Sequence, residues 1–128
     1  MFIISVKDKF SAAHKIPGHH KCGNIHGHNF GVEVMFKSLV APKDENGMTV
    51  DFAKAKEIVQ DITQKEFDHH FIEELVINDK KVPVSAENLA RYLYLKISEK
   101  LLEEDLPLEV YSIKICETDN FCAIYLVI

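Results

Sequence analysis

The segment His26-Gly-His-Asn-Phe30-Gly-Val-Glu-Val-Met-Phe-Lys37 alternates: Phe30, Val32, Val34 and Phe36 fall on one face, Glu33 and Lys37 on the other. A two-residue period of this kind describes a strand with one face in a core. Carried back, the same parity puts His26 and His28 on the apolar side. Without a bulge both imidazoles therefore face an interior or an interface, and Gly27 leaves room between them.

The stretch from Phe2 to His14 alternates as well and is predicted to be the partner strand, with the turn-forming run Pro42-Lys-Asp-Glu-Asn-Gly47 closing the hairpin. Asp51 is placed to cap a helix from Phe52 to about Glu66, whose Phe52, Ala55, Ile58, Val59 and Ile62 form one stripe. A second helix is expected after Ser85, through Leu89, Leu93, Ile97 and Leu101, with Pro107 ending the connection. Val110 to Cys116 and Phe121 to Val127 read as two further strands around Thr118-Asp-Asn120. The order is β-β-α-α-β-β, without repeat or linker. Strands that leave and return in adjacent pairs favour an antiparallel sheet, and two amphipathic helices suit its apolar face, so the fold class is a two-layer α+β domain.

A chain of 128 residues is expected to form one domain, residues 1–128, around one core. The net charge of −5 and the lone arginine, Arg91, argue against the broad basic surface that nucleic-acid binding needs. The start Met1-Phe-Ile-Ile-Ser-Val-Lys lacks the pattern of a signal peptide, and no apolar run approaches a membrane span, so a cytoplasmic protein is expected. Cys22, Cys116 and Cys122 are an odd set without regular spacing, which is read as free thiols in a reducing compartment. A small open sheet has two unpaired edges, and the apolar end Cys122-Ala-Ile-Tyr-Leu-Val-Ile128 carries no charge to block pairing. A closed homo-oligomer is the expected outcome.

Seven histidines in a chain of this length are a dense allotment, and His14, at the end of Phe10-Ser-Ala-Ala-His14, is the natural third ligand beside His26 and His28. Cys22 has three readings: a fourth ligand that closes a structural zinc site, a nearby thiol acting as a general base, or an inert thiol. Asp68-His69-His70 is either a polar loop with a capping aspartate or a carboxylate–imidazole relay. Glu117, at a strand end, is either solvated or accepts paired hydrogen bonds from a ring N–H and an exocyclic amine. His19 and His20 are second-choice ligands. With Lys15 and Lys21 they form a loop that is either solvated or in contact with an anionic substrate group.

Taken together, His14, Cys22-xxx-His26-Gly-His28-Asn-Phe, Val50-Asp51-Phe52, Asp68-His69, Ser85-Ala-Glu87-Asn88 and Cys116-Glu117-Thr118 resemble the 6-pyruvoyl-tetrahydropterin synthase family over nearly the whole chain. The three residues Gly23-Asn24-Ile25 before His-Gly-His resemble the bacterial-type 6-carboxytetrahydropterin synthases of the queuosine pathway rather than the animal enzymes, which carry a longer insertion. A branch that uses a glutamate near the cysteine position to make 6-hydroxymethyl-dihydropterin is disfavoured, because no glutamate stands between Ile16 and Phe30.

The resemblance implies a tunnelling fold, with a four-stranded antiparallel sheet backed by two helices. It also implies subunits that join sheets into a barrel, two trimers stacked as a homohexamer, and active sites at subunit interfaces. By the same likeness His14, His26 and His28 hold zinc (Zn2+), Cys22 is the proton acceptor, Asp68 and His69 are the relay, and Glu117 anchors the pterin. Ser85 and Ala86 match a pterin-contacting stretch that often has two hydroxyl residues, from which Ala86 departs; Phe67 replaces a frequent leucine. The activity implied converts 7,8-dihydroneopterin triphosphate to 6-carboxytetrahydropterin, acetaldehyde and triphosphate. The alternatives are 6-pyruvoyl-tetrahydropterin synthase activity and a noncatalytic zinc- or pterin-binding oligomer.

Overall fold

A computed structural model describes residues 1–128. The two alternating segments form β1 (Ile3–His14) and β2 (His26–Ser38), paired antiparallel in unbroken register from Ile3 opposite Lys37 to His14 opposite His26. This corrects the hairpin connection. Residues 15–25 join the two strands, whereas Pro42–Gly47 lies beyond β2 and leads to the first helix. Turn-forming residues identify a turn but not the elements it joins, and Pro17-Gly18 is the equivalent signal in the true connection, with Gly18 at φ 77°.

The first helix, α1 (Phe52–Ile62), starts on the expected cap: the Asp51 carboxylate accepts the Ala53 N–H at 2.9 Å. Ala55, Ile58, Val59 and Ile62 are buried as the spacing requires. Phe52 leaves the stripe; it is 71% exposed and lines a surface hollow with Phe2 and Met48. A single π-helical turn, Thr63–Phe67, carries the chain on to Asp68. The second helix, α2 (Ala86–Glu103), is capped by Ser85, whose hydroxyl accepts the Asn88 N–H at 3.1 Å, and buries Leu89, Ala90, Leu93, Ile97 and Leu101.

Between the helices the structure adds three short strands that the sequence did not announce: β3 (His70–Phe71), β4 (Leu75–Ile77) and β5 (Lys80–Val82). Segments of two or three residues are too short to display a period. The β4–β5 hairpin turns at Asn78 and Asp79, both at positive φ, as a two-residue turn that follows strand twist demands. Next come β6 (Leu108–Thr118) and β7 (Phe121–Leu126), and the main sheet runs β3-β1-β2-β6-β7. The four long strands are antiparallel as expected. β3 is the addition, parallel to β1 through Ala12–His70 and Ala13–Phe71.

One face of this sheet is covered by α1 and α2. Phe10, Phe30, Val34, Phe36, Ile113 and Ile115 meet Ile58, Leu89, Leu93 and Ile97 in a continuous core. Each such side chain contributes about 1.5–3 kcal/mol on burial. Phe67, at the position where leucine is frequent, is accommodated by packing: it is buried, with its ring centroid 5.2 Å from that of Phe10. No helix is long and apolar enough to cross a membrane.

Cysteine usage differs from the expectation of three free thiols. Cys116 and Cys122 are cross-strand partners in the β6–β7 hairpin, with Cα atoms 4.0 Å apart, and are joined by a disulfide, leaving Cys22 as the free cysteine. An odd count shows only that one thiol is left over. Which two pair is decided by strand register, and the tight turn at Asp119-Asn120 brings these two opposite each other.

Candidate metal and active site

The sheet register builds the histidine cluster. His14 ends β1 directly opposite His26, the first residue of β2, and His28 lies two residues further along the same face. The ring centroids are 4.6, 5.1 and 4.9 Å apart for the pairs 14–26, 14–28 and 26–28. His14 is fully buried, and the other two are partly buried.

Two main-chain carbonyls fix how the rings present their nitrogens. His14 Nδ1 lies 2.6 Å from the Val84 carbonyl and His26 Nδ1 lies 2.7 Å from the Asn24 carbonyl. A carbonyl only accepts, so in each ring Nδ1 carries the hydrogen and Nε2 is left with a lone pair. The Nε2 atoms of His14, His26 and His28 are all shielded from solvent with no hydrogen-bond partner, and the three ligand atoms lie within 4.8 Å of one another. Three convergent buried lone pairs oriented by outer hydrogen bonds are the donor set of a metal site. The residues present therefore fit a zinc-type cation.

Burial is the main cause that pulls the His28 pKa below the usual imidazole value. Its two histidine neighbours act in the same direction, and Glu117 opposes them. The neutral imidazole is thereby favoured, the form in which a ring nitrogen can ligate a metal. The 3.7 Å separation of its Nε2 from a Glu117 carboxylate oxygen is then a close approach rather than an ion pair. Glu117 reaches this position because Cys116 pairs with Cys122 and Thr118 with Phe121, which leaves Glu117 as the extra residue of a β-bulge.

Asp68 and His69 are brought together. One Asp68 oxygen accepts the Ser11 N–H at 2.8 Å, and the other lies 2.6 Å from His69 Nδ1. Adjacent residues do not usually face each other; here His69 adopts φ 61°, a conformation rare for a non-glycine residue, and its own N–H is bound by the Ser11 carbonyl at 2.6 Å. The Ser11 N–H, and after it His69, hold the Asp68 carboxyl below the ordinary carboxylate range. The His69 side chain is 83% exposed. Together with His28, His70 and Asn29 it lines a cleft of about 510 Å³.

Cys22 stands apart from the histidine group, whose close donor atoms do not include its sulfur. It is partly exposed in a turn held by the Ile16 N–H on the Cys22 carbonyl at 2.6 Å and by the Cys22 N–H on His19 Nδ1 at 2.9 Å. Glycine is required at position 23, because a Cβ there would lie 2.5 Å from the His19 carbonyl oxygen. The Nδ1 of His19 is thus engaged with main chain, and His20 is exposed; neither joins the cluster.

Neither Ser85 nor Ala86 lines the cleft: Ser85 caps α2 and Ala86 is buried. The residues missed in the sequence are those that act through main chain, namely Val84, Asn24 and Ser11. No side-chain pattern marks them. A larger cavity of about 850 Å³ between α2 and the β3–β5 region is lined by Glu66, Glu73, Glu74, Asp79 and Glu99 against one lysine, Lys96, a charge balance unsuited to an anionic substrate.

The model of the family described as 6-pyruvoyl tetrahydropterin synthase matches residues 3–126. An Archaeoglobus fulgidus protein provisionally named 6-carboxy-5,6,7,8-tetrahydropterin synthase is 44% identical over 98 residues, 77% of each chain. The Haemophilus influenzae 6-carboxy-5,6,7,8-tetrahydropterin synthase is 30% identical over 142 residues, covering 95% of this chain and 97% of its own. Among solved structures, the Caenorhabditis elegans 6-pyruvoyl tetrahydropterin synthase superposes with a TM-score of 0.74 at 25% identity, over 99% of this chain and 97% of that one. The family match spans the whole histidine cluster, and the chain belongs to the 6-pyruvoyl tetrahydropterin synthase family.

Proposed function

We propose that the chain is a zinc-dependent 6-carboxy-5,6,7,8-tetrahydropterin synthase. It converts 7,8-dihydroneopterin triphosphate to 6-carboxytetrahydropterin, acetaldehyde and triphosphate in queuosine biosynthesis. The observation that carries this reading is the set of three partnerless, buried Nε2 atoms, one of whose rings lines the same cleft as His69. The relatives named for this reaction, and the three-residue spacing between Cys22 and His26, favour the carboxy product over the pyruvoyl one.

His14, His26 and His28 would hold the cation, which when bound supplies Lewis acidity toward the hydroxyls of the substrate side chain. Glu117 offers a carboxylate that accepts two parallel hydrogen bonds from the pterin ring. Cys22, in the loop that leads into β2, is assigned the removal of a side-chain proton as general base. Asp68, kept ionised, binds His69 Nδ1–H and so leaves His69 Nε2 to accept or return a second proton. Triphosphate departs by elimination, the ring gains its two hydrogens as the side chain is oxidised to the dicarbonyl level, and hydrolytic cleavage of the side chain, in which one water supplies the second carboxyl oxygen, releases acetaldehyde. With Cys22 outside the close donor atoms, three histidines alone would hold the cation, which argues against a closed four-ligand structural site.

The working form is proposed as a cytoplasmic homo-oligomer, trimer or hexamer, of single-domain subunits spanning residues 1–128, with active sites at subunit interfaces. The outer edge of β7, with Phe121, Ile124 and Leu126 exposed, is the surface that a neighbouring sheet would pair with and cover. The deciding experiment supplies purified, zinc-loaded protein with 7,8-dihydroneopterin triphosphate and identifies products by mass spectrometry, with Cys22→Ala as control. 6-Carboxytetrahydropterin with acetaldehyde, absent in the control, is expected. A 6-pyruvoyl product would reassign the reaction, and no conversion by zinc-loaded protein would favour a noncatalytic binding role.

A further inference from the structure

Glu117 sits at the most irregular point of the sheet, and the disulfide sits immediately beside it. Cys116 precedes Glu117 in the chain, and the Cys116–Cys122 pair is the last regular cross-strand pair before the bulge. Beyond it only the Thr118–Phe121 pair and the turn remain. A bulge residue has no cross-strand partner, so its direction depends on how firmly its neighbours are held. On β6 one neighbour is bound covalently to the opposite strand. That strand, β7, is the outer strand of the subunit's own sheet.

The parity of β6 separates the two groups. Ile113 and Ile115 face the helices, Cys116 faces the opposite side, and Glu117 turns back toward His28, 3.7 Å from its Nε2. The crosslink thus closes the open face of the hairpin while the carboxylate is aimed through the other. It spans six positions in sequence, so it constrains the hairpin tip and little else. Within the subunit Cys122 is exposed and Cys116 partly so, and the pair stands on the sheet face away from the helices rather than along the β7 edge, so edge pairing with a neighbouring sheet does not itself cover the bond.

We propose that the Cys116–Cys122 disulfide is a redox-controlled positioning element for Glu117: closed, it holds the bulge so that the carboxylate meets the pterin ring; opened, it releases that aim and weakens pterin binding. This rests on the reading of Glu117 as pterin anchor. Opening by a dithiol takes two thiol–disulfide exchanges. The S–S bond breaks, Cys116 and Cys122 each end as a thiol, and the reductant's two thiols become its own disulfide, so two electrons and two protons pass to the protein. Cys22 is already a thiol and is unchanged.

The test measures neopterin affinity by fluorescence titration on oxidised and reduced wild-type protein and on Glu117→Gln in both states. Tris(2-carboxyethyl)phosphine serves as reductant, and thiols are counted in denaturant at each stage. The count should rise from one to three on reduction, and wild-type affinity should fall roughly ten-fold, the scale of a weakened hydrogen bond to a charged group. Oxidised Glu117→Gln should bind weakly, and its affinity should not change on reduction. Cys116→Ala/Cys122→Ala should behave as the reduced wild type.

Three results overturn the proposal. One is unchanged affinity on reduction while oxidised Glu117→Gln binds weakly, which leaves the anchor reading intact. Another is an equal loss on reduction in wild type and Glu117→Gln, which makes the bond merely structural. The third is three thiols that an oxidised dithiol cannot close. If oxidised Glu117→Gln binds neopterin as well as wild type, the anchor reading itself fails, whatever the disulfide does.

Discussion

Adding zinc to metal-free protein should raise its melting temperature by a predictable amount, and His14→Ala should abolish the rise. The source of the effect is visible in the cluster: three shielded acceptors that find no partner within the protein converge on one point. A cation that binds only the folded site stabilises by about 2.7 kcal/mol when free metal is one hundred times Kd. For 128 residues the unfolding entropy is roughly 0.27 kcal/mol per degree, so the shift is about 10 °C. Scanning calorimetry with buffered zinc measures it, alongside metal content per chain, expected to be one. Wild-type protein that binds no metal, or whose melting temperature ignores it, would refute the reading of the lone pairs. An undiminished shift in His14→Ala would show that the cation sits elsewhere.

Cys22→Ser should retain the full zinc content by elemental analysis yet lose turnover, because its sulfur lies outside the donor set; loss of metal would make Cys22 a ligand instead. Ser85→Ala removes the cap of α2 and should cost about 1 kcal/mol, or 3–4 °C in melting temperature. Since the adjacent Val84 carbonyl holds His14, zinc affinity by chelator competition should weaken as well, and an unchanged affinity would uncouple the two. Asp68→Asn should lower kcat by roughly 10²–10⁴-fold through loss of the relay. The sign of its stability effect is fixed by the depressed Asp68 pKa: native-state stabilisation by the carboxylate is full above the unfolded value and disappears as pH falls through the folded one. The stability gap between wild type and Asp68→Asn should therefore be present at pH 7 and close progressively below about pH 4; a gap independent of pH would refute the assignment.

Periodicity made β1, β2, both helices and the β6–β7 hairpin legible, because burying one face of a strand or helix leaves a repeating trace in the residues that do it. The same trace put His26 and His28 on the inner face, where the structure has them. Asp51 and Ser85 were legible as caps because capping requires a short side-chain acceptor at that position.

Four things were not written in residue types. The connection of β1 to β2 through residues 15–25, the pairing of Cys116 with Cys122, and the strand β3 all depend on which segments meet in space. The tautomers of His14 and His26 depend on carbonyls of Val84 and Asn24, and a carbonyl is present at every residue, so no sequence signal distinguishes the one that matters. By itself the sequence determined the two-layer architecture and a list of ligand-type side chains. Only the tertiary structure decided that three of those side chains converge on one point while the thiol stands aside, because convergence is set by strand register and main-chain hydrogen bonds that no local pattern encodes.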